Sequence, residues 1–282
     1  MEFEKTTWRL IQTPAARGAW NMAVDEAILE AMGRDEVLPT LRLYAWSPAC
    51  LSLGYAQPFS DINIAVLESQ GWDLVRRPTG GRAILHADEL TYSVIAPHQE
   101  ARLAKDILSS YFILSQAILG ALHLLDIPAQ AEEMGKTVNN SANNPKKRNQ
   151  NPVCFEVPSN YEITVHGKKL VGSAQARRRE GILQHGTFPL SGDLTRIIRV
   201  LKFEDDNKRH RAQERLVERA ATAEQILGRV IDSDLAAQAF ISAFQEELNL
   251  EFAPSELSKA ELARVENLMV EKYVNPDWTE RI

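Results

Sequence analysis

Apolar positions recur at helical spacing in several stretches of the chain. "AWNMAVDEAILEAM", residues 19 to 32, places Trp20, Val24, Ala27, Ile28 and Ala31 on one face and predicts a first helix. Residues 107 to 125, "ILSSYFILSQAILGALHLL", carry no charge between Asp106 and Asp126. The length suits a membrane span, but Ser109, Ser110, Ser115, Gln116 and His123 make it too polar for lipid. Ile107, Tyr111, Leu114, Ile118, Leu122 and Leu125 fall at helical spacing, so a buried helix is expected. From residue 194 onward the pattern is mostly helical, with an amphipathic run "LAAQAFISAFQEEL" and a capping-box pair, Ser258 and Glu261, opening "SKAELARVENLMVEKY".

Between these helices the period shortens to two. "TLRLYAW", "CLSLGYA", "DLVRRP" and "LTYSVIA", all between residues 40 and 96, read as strands separated by turn residues. "YEITV" and "KKLVGSAQ" flank His166-Gly167, a two-residue hairpin signal, and "GILQHGTFPL" should supply the next strand. "KTVNNSANNPKKRNQN", residues 136 to 151, has no apolar period and reads as a mobile loop. No fixed-period repeat is present. The expected fold is α+β: a mixed β-sheet flanked by helices, with a helical C-terminal segment.

At 282 residues and 44% apolar composition, the chain can bury a large core, which excludes disorder as a whole. Its net charge of −6 is interspersed, which argues against nucleic acid as the main partner, although a local basic patch can dock an acidic protein. Two cysteines form no disulfide framework and fit a reducing, cytoplasmic setting. The opening "MEFEKTTWRL" is acidic where a secretion signal is basic, so neither secretion nor a membrane association is expected.

Several motifs can be dismissed. "MGKT" at 134 to 137 ends like a phosphate-binding loop, but the motif's first glycine falls at Gln130. G-x-S-x-G, G-x-G-x-x-G and paired CxxC are absent, and the six histidines lack metal-ligand spacing, so no metal and no cofactor are expected. "VRRPTGGRAILHADELTYSV", residues 75 to 94, says more. Arg76 and Arg77 end a strand, and Gly80 and Gly81 remove side-chain bulk from the turn, which lets a ligand lie against backbone N–H groups. An ordinary hairpin turn with two solvated arginines gives the same pattern.

Cys50 sits in an apolar strand pattern and reads as core. Cys154 stands at a loop-strand junction, with Lys168 and Lys169 in the next hairpin. An ammonium near the sulfur lowers the thiol pKa from about 8.5 and makes the thiolate available near neutral pH. Strand alternation puts Lys169, Val171 and Ser173 on one face and Lys168 on the other, yet two solvated lysines fit the spacing equally well. His185, inside a strand, and His86, after the glycine turn, are candidates for substrate contact or proton transfer, with a structural hydrogen-bonded imidazole as the alternative. Gly172 and Ser173 join Gly80 and Gly81 as sources of backbone N–H groups that can polarise a carbonyl. The run Arg177 to Arg179 either meets an acidic partner or is simply solvated.

Three blocks carry a resemblance: "WRLIQTPAARGAWNMAVDEAIL", "RRPTGGRAILHADELTYSV" and "CFEVPSNYEITVHGKKLVGSAQARRREGILQHGTFPL". Together they resemble the biotin/lipoyl protein ligase superfamily and, within it, the cysteine-containing octanoyltransferases. The resemblance implies a class II synthetase/biotin-lipoyl ligase-like fold, with a catalytic domain over residues 1 to 250 (core about 35 to 245) and a helical extension over 251 to 282. It implies an acyltransferase that moves an octanoyl group from octanoyl-acyl carrier protein to a lysine of a lipoyl domain, the H protein of the glycine cleavage system. Cys154, in "CF-x-x-PS-x-YE", would carry the acyl thioester, and Lys169, in "K-x-x-GSA", would lower its pKa. Arg76, Arg77, Gly80, Gly81, His86, Gly172, Ser173 and His185 would meet substrate. Departures from the ATP-dependent lipoate ligases are Arg82 in place of a third glycine and Pro58 after Gln57. An ATP-dependent ligase, an octanoyl carrier-to-carrier amidotransferase and a binding module without turnover remain as alternatives.

Overall fold

The structure is a computed structural model and describes residues 3–103, 106–133 and 161–282. Cys154, the "MGKT" stretch and the Asn-rich stretch lie outside the described residues.

The period-two runs assemble into one large mixed sheet and one small sheet. In the large sheet, β1 (Thr6–Gln12) pairs in parallel with β2 (Thr40–Tyr44) on one side and with β11 (Leu250–Pro254) on the other. The rest is antiparallel: β2 pairs with β6 (Glu89–Ala96), β6 with β10 (Gly181–Pro189), and β10 with β9 (Lys168–Arg178). Beyond β9 come β8 (Tyr161–Val165) and β7 (Gln130–Glu133), giving the order β11-β1-β2-β6-β10-β9-β8-β7. The small sheet sets β3 (Cys50–Leu53) between β4 (Asp73–Arg76) and β5 (Ile84–His86).

Alternation along the central strands gives the large sheet two different faces. Leu41, Leu43, Tyr92, Val94, Ile182 and Phe188 point to one side and pack under α3 (Ile107–Leu124) and α6 (Ser233–Leu248). The second face is covered by α1 (Gly18–Gly33) and, behind it, α7 (Lys259–Leu268), while α2 (Ile64–Ser69) and α4 (Asp206–Arg219) pack with the small sheet through Leu67, Ala212 and Leu216, and α5 (Ala223–Leu227) joins the first face through Ala223. α3 is therefore a core helix, with Ile113, Leu114, Ala117, Ile118, Ala121 and Leu122 buried, as its composition predicts. Cys50 is fully buried against the α1 face, and burial pushes its thiol well up.

The hairpin at His166-Gly167 forms as expected, with φ of 51° and 73°, the pair of positive values that a two-residue turn of this hand requires. Residues 251–282 pack into the main body. β11 extends the large sheet across position 250, and the Ser258–Glu261 capping box opens α7. Glu261 also forms a buried ion pair with Arg9 of β1 at 3.0 Å.

Candidate active site

Position-by-position pairing brings the polar residues of the second face into rows. Arg42, Ser93 and His185 lie side by side across β2, β6 and β10, and Tyr44, Thr91 and Thr187 form the next row. In β2 and β6 these alternate with apolar residues that face the other side, while β10 puts Gln184, which donates to Tyr92 Oη, and Gly186 there between Ile182 and Phe188. Asp25 of α1 closes over the first row. Its side chain and that of Arg42 are fully buried and paired at 2.7 Å. Ser93 Oγ donates to Asp25 Oδ1 at 2.9 Å, and Tyr44 Oη donates to Oδ2 at 3.1 Å.

A cleft enclosing about 360 Å³ of space, part of it open to solvent, runs along these rows between the large and small sheets. Met22, Trp46 and Ile84 give it apolar walls, and Arg77, His86, Gly172, Ser173 and His185 line it as well. Of the residues singled out from sequence, those five meet at one place. Among the described residues, Arg76, Gly80, Gly81 and Lys169 do not line it. Lys169 is buried nearby on β9, with Nζ 3.1 Å from Glu162 Oε1. Lys168 instead turns outward and donates to the Val217 carbonyl, so strand alternation separates the two lysines as expected. Gly80 and Gly81 are exposed on the turn, where Gly81 takes a φ of 95°.

The paired arginines are neither solvated nor presented to a partner. Arg77 donates through Nη1 to Ser52 O and Oγ and through Nη2 to the carbonyls of Gly80 and Arg82, which holds the glycine turn in shape. Arg76 is a strut outside the cleft. It is fully buried and donates to the carbonyls of Gly54, Tyr55, Gln57 and Thr279, which ties the small sheet to the C-terminal segment. Of the later run, Arg177 reaches the Leu103 carbonyl and Arg178 the Pro78 carbonyl.

Both histidines sit in carboxylate–imidazole–hydroxyl chains. His86 places Nδ1 2.7 Å from Glu89 Oε1 and Nε2 2.7 Å from Ser52 Oγ, and its ring stacks on Trp46 at 4.0 Å. His185 places Nε2 2.6 Å from Thr79 Oγ1 and Nδ1 3.5 Å from Asp25 Oδ2. Burial pushes His185 below its ordinary value of 6.5, against the pull of Asp25, so the ring is neutral at pH 7. For Asp25, burial pushes upward, but Arg42 and His185 outweigh it and the carboxyl stays ionised. Asp25, Arg42, Thr79 and Glu89 were missed in the sequence. The available signal was an acid on the apolar face of the first helix and one polar position repeated in each of three strands.

The fold and this site define a class of acyl-handling enzymes: residues 17–245 match the lipoyl protein ligase A/B catalytic domain, and the chain belongs to that family. Its near full-length relatives are more particular. The octanoyltransferase LipM of Exiguobacterium sibiricum is 38% identical over 96% of this chain and 97% of its own length, and that of Staphylococcus aureus is 36% identical over 98% and 99%. Within the family, the chain therefore belongs with the LipM octanoyltransferases. Among solved structures, a bi-partite lipoate protein ligase from Thermoplasma acidophilum superposes with a TM-score of 0.78 at 24% identity, covering 98% of this chain and 96% of the other. A lipoate-protein ligase A bound with ATP gives 0.76 at 24% identity, covering 97% and 98%. These likenesses show the shared fold.

Proposed function

We propose that this chain is an acyltransferase of lipoate biosynthesis, moving an octanoyl group from octanoyl-acyl carrier protein to a lysine of a lipoyl domain such as the H protein. The observation that carries this reading is the near full-length identity to octanoyltransferases. The cleft supports it, since its walls of Met22, Trp46 and Ile84 suit an apolar chain and the terminal nitrogens of Arg77 are engaged by oxygens of the protein itself. A lipoyl-domain acceptor is supported by the structural neighbour from T. acidophilum, which was described together with an E2 lipoyl domain.

The chemistry proceeds in two steps. The thiolate of Cys154 attacks the donor's thioester carbonyl, a new C–S bond forms, and the donor's thiolate leaves. The acceptor amine then attacks the Cys154 thioester, an amide C–N bond forms, and the Cys154 thiolate is released. Lys169, with Glu162 beside it, is the cation assigned to stabilise that thiolate. Thioester exchange is nearly isoenergetic and aminolysis runs downhill, so ATP has no part in either step.

Mixing the chain with octanoyl-acyl carrier protein and a lipoyl domain, without ATP, should yield the octanoyl amide, and Cys154→Ala should abolish it. Product that forms only from free octanoate and ATP, with pyrophosphate release, would instead indicate a ligase.

A further inference from the structure

The Asp25, His185 and Thr79 chain reaches the cleft through His185, which lines it, while Asp25 and Thr79 are buried behind, yet the thiol chemistry above does not use it. An ionised carboxylate only accepts hydrogen bonds, so Nδ1 of His185 carries the ring hydrogen and faces Asp25. Nε2 then accepts from the Thr79 hydroxyl at 2.6 Å. A fully buried ion pair such as Asp25 with Arg42 is seldom the most stable way to fill a core. What the pair achieves here is a carboxylate held ionised and in place by Arg42, with its second oxygen facing an imidazole that borders the cleft.

On the octanoyl-transfer reading, the second step needs a base. The acceptor lysine arrives as an ammonium with a pKa of about 10.4. Forming the amide from it, with the Cys154 sulfur leaving as thiolate, releases two protons: one before nucleophilic attack, and one from the tetrahedral intermediate that passes to solvent at the open side of the cleft. Lys169 holds its Nζ 3.1 Å from Glu162 Oε1 and does not line the cleft, whereas His185 does. We propose that His185 takes the first proton from the acceptor ammonium and that Asp25 is its positioning residue, fixing the Nδ1–H tautomer and balancing the imidazolium that forms. Thr79 occupies Nε2 in the resting cleft, and an ammonium, as a charge-assisted donor, replaces it there. His86 is less suited to this task, because its Ser52 partner is also held by Arg77 and its ring is stacked on Trp46.

The charged and titratable groups facing His185 are Asp25 from α1, Arg42 and Tyr44 beside Asp25 from β2, Arg77 just after β4 and His86 from β5. Burial, Arg77 and His86 push the ring's pKa down, and Asp25 pulls it up. Transfer should therefore fail as pH falls through the His185 pKa, which lies below 6.5.

The test starts from enzyme preloaded at Cys154 by an octanoyl thioester, and compares two nucleophiles at pH 7. One is a lipoyl-domain lysine and the other is hydroxylamine, which is already neutral and needs no base to become nucleophilic. His185→Gln should slow transfer to the lysine by about ten-fold or more while hydroxylamine still deacylates at close to the wild-type rate. Asp25→Asn should show the same selectivity and move the acid limb of the pH profile downward. Equal slowing toward both nucleophiles, or undiminished transfer to lysine, overturns the assignment. If wild-type enzyme fails to load, the octanoyl-transfer reading fails first and this assignment goes with it. His185→Gln exchanges one neutral polar side chain for another, so it carries the test even if Asp25→Asn misfolds with Arg42 unpaired.

Discussion

Asp25 is where a single residue says most about this molecule. A carboxylate on the buried face of a helix costs several kcal/mol of desolvation unless it is paired and hydrogen-bonded. It draws donors from β2 and β6, and its second oxygen faces His185 of β10. The sequence shows Asp25 among Val24, Ala27 and Ile28, where helical period alone marks it as out of place. What it meets was not legible, because Arg42, Ser93 and His185 come together only through the register of strands far apart in the chain. Gly186 is constrained just as locally. A Cβ built there would stand 2.5 Å from Tyr92 Cε1 and 2.8 Å from the Gly172 carbonyl oxygen. Gly186→Ala should lower stability by about 1–3 kcal/mol, read as a drop in Tm, and should disturb the Ser173 side of the cleft.

At the scale of elements, local chemistry was readable wherever the signal was local. The hairpin at His166-Gly167, the capping box at Ser258 and the α3 core helix all follow from residues a few positions apart. The place of the C-terminal segment does not. Trp278 Nε1 donates to the Arg76 carbonyl, the Thr279 carbonyl accepts from the Arg76 guanidinium, and the Phe59 N–H donates to the Ile282 carbonyl. No sequence period announces a clamp made of main-chain carbonyls. Truncation before Pro276 should leave the buried Arg76 guanidinium short of acceptors and cost about 3 kcal/mol or more, measured as a fall in the urea midpoint. A truncated chain as stable as the full one would mean that Arg76 is satisfied without its C-terminal partner.

For the whole molecule, the buried acid–base pair couples folding to pH. His185 and Asp25 both have folded pKa values below their ordinary values of 6.5 and 3.8. A depressed pKa means that the unfolded chain binds the proton more readily, so each contribution is present above the ordinary value and lost as pH falls through the folded one. The histidine acts first, and stability should decline as pH drops below about 6.5, with Asp25 adding a second loss below about 3.8. Thermal melts between pH 7.5 and 5 should show the first decline, and His185→Gln should flatten it. The same coupling places the neutral imidazole where transfer needs it at neutral pH. Overall architecture and the family were legible from three sequence blocks, while the cleft's polar rows required the assembled sheet.

The central claim is that the acyl group rests on one thiol between donor and acceptor. Intact-mass spectrometry after mixing the chain with octanoyl-acyl carrier protein, without ATP, tests it directly. The account predicts a single octanoyl gain that peptide mapping assigns to Cys154, is absent from Cys154→Ala, and disappears when a lipoyl domain is added. No gain in mass, or a gain on Cys50 or on a lysine instead, would contradict it.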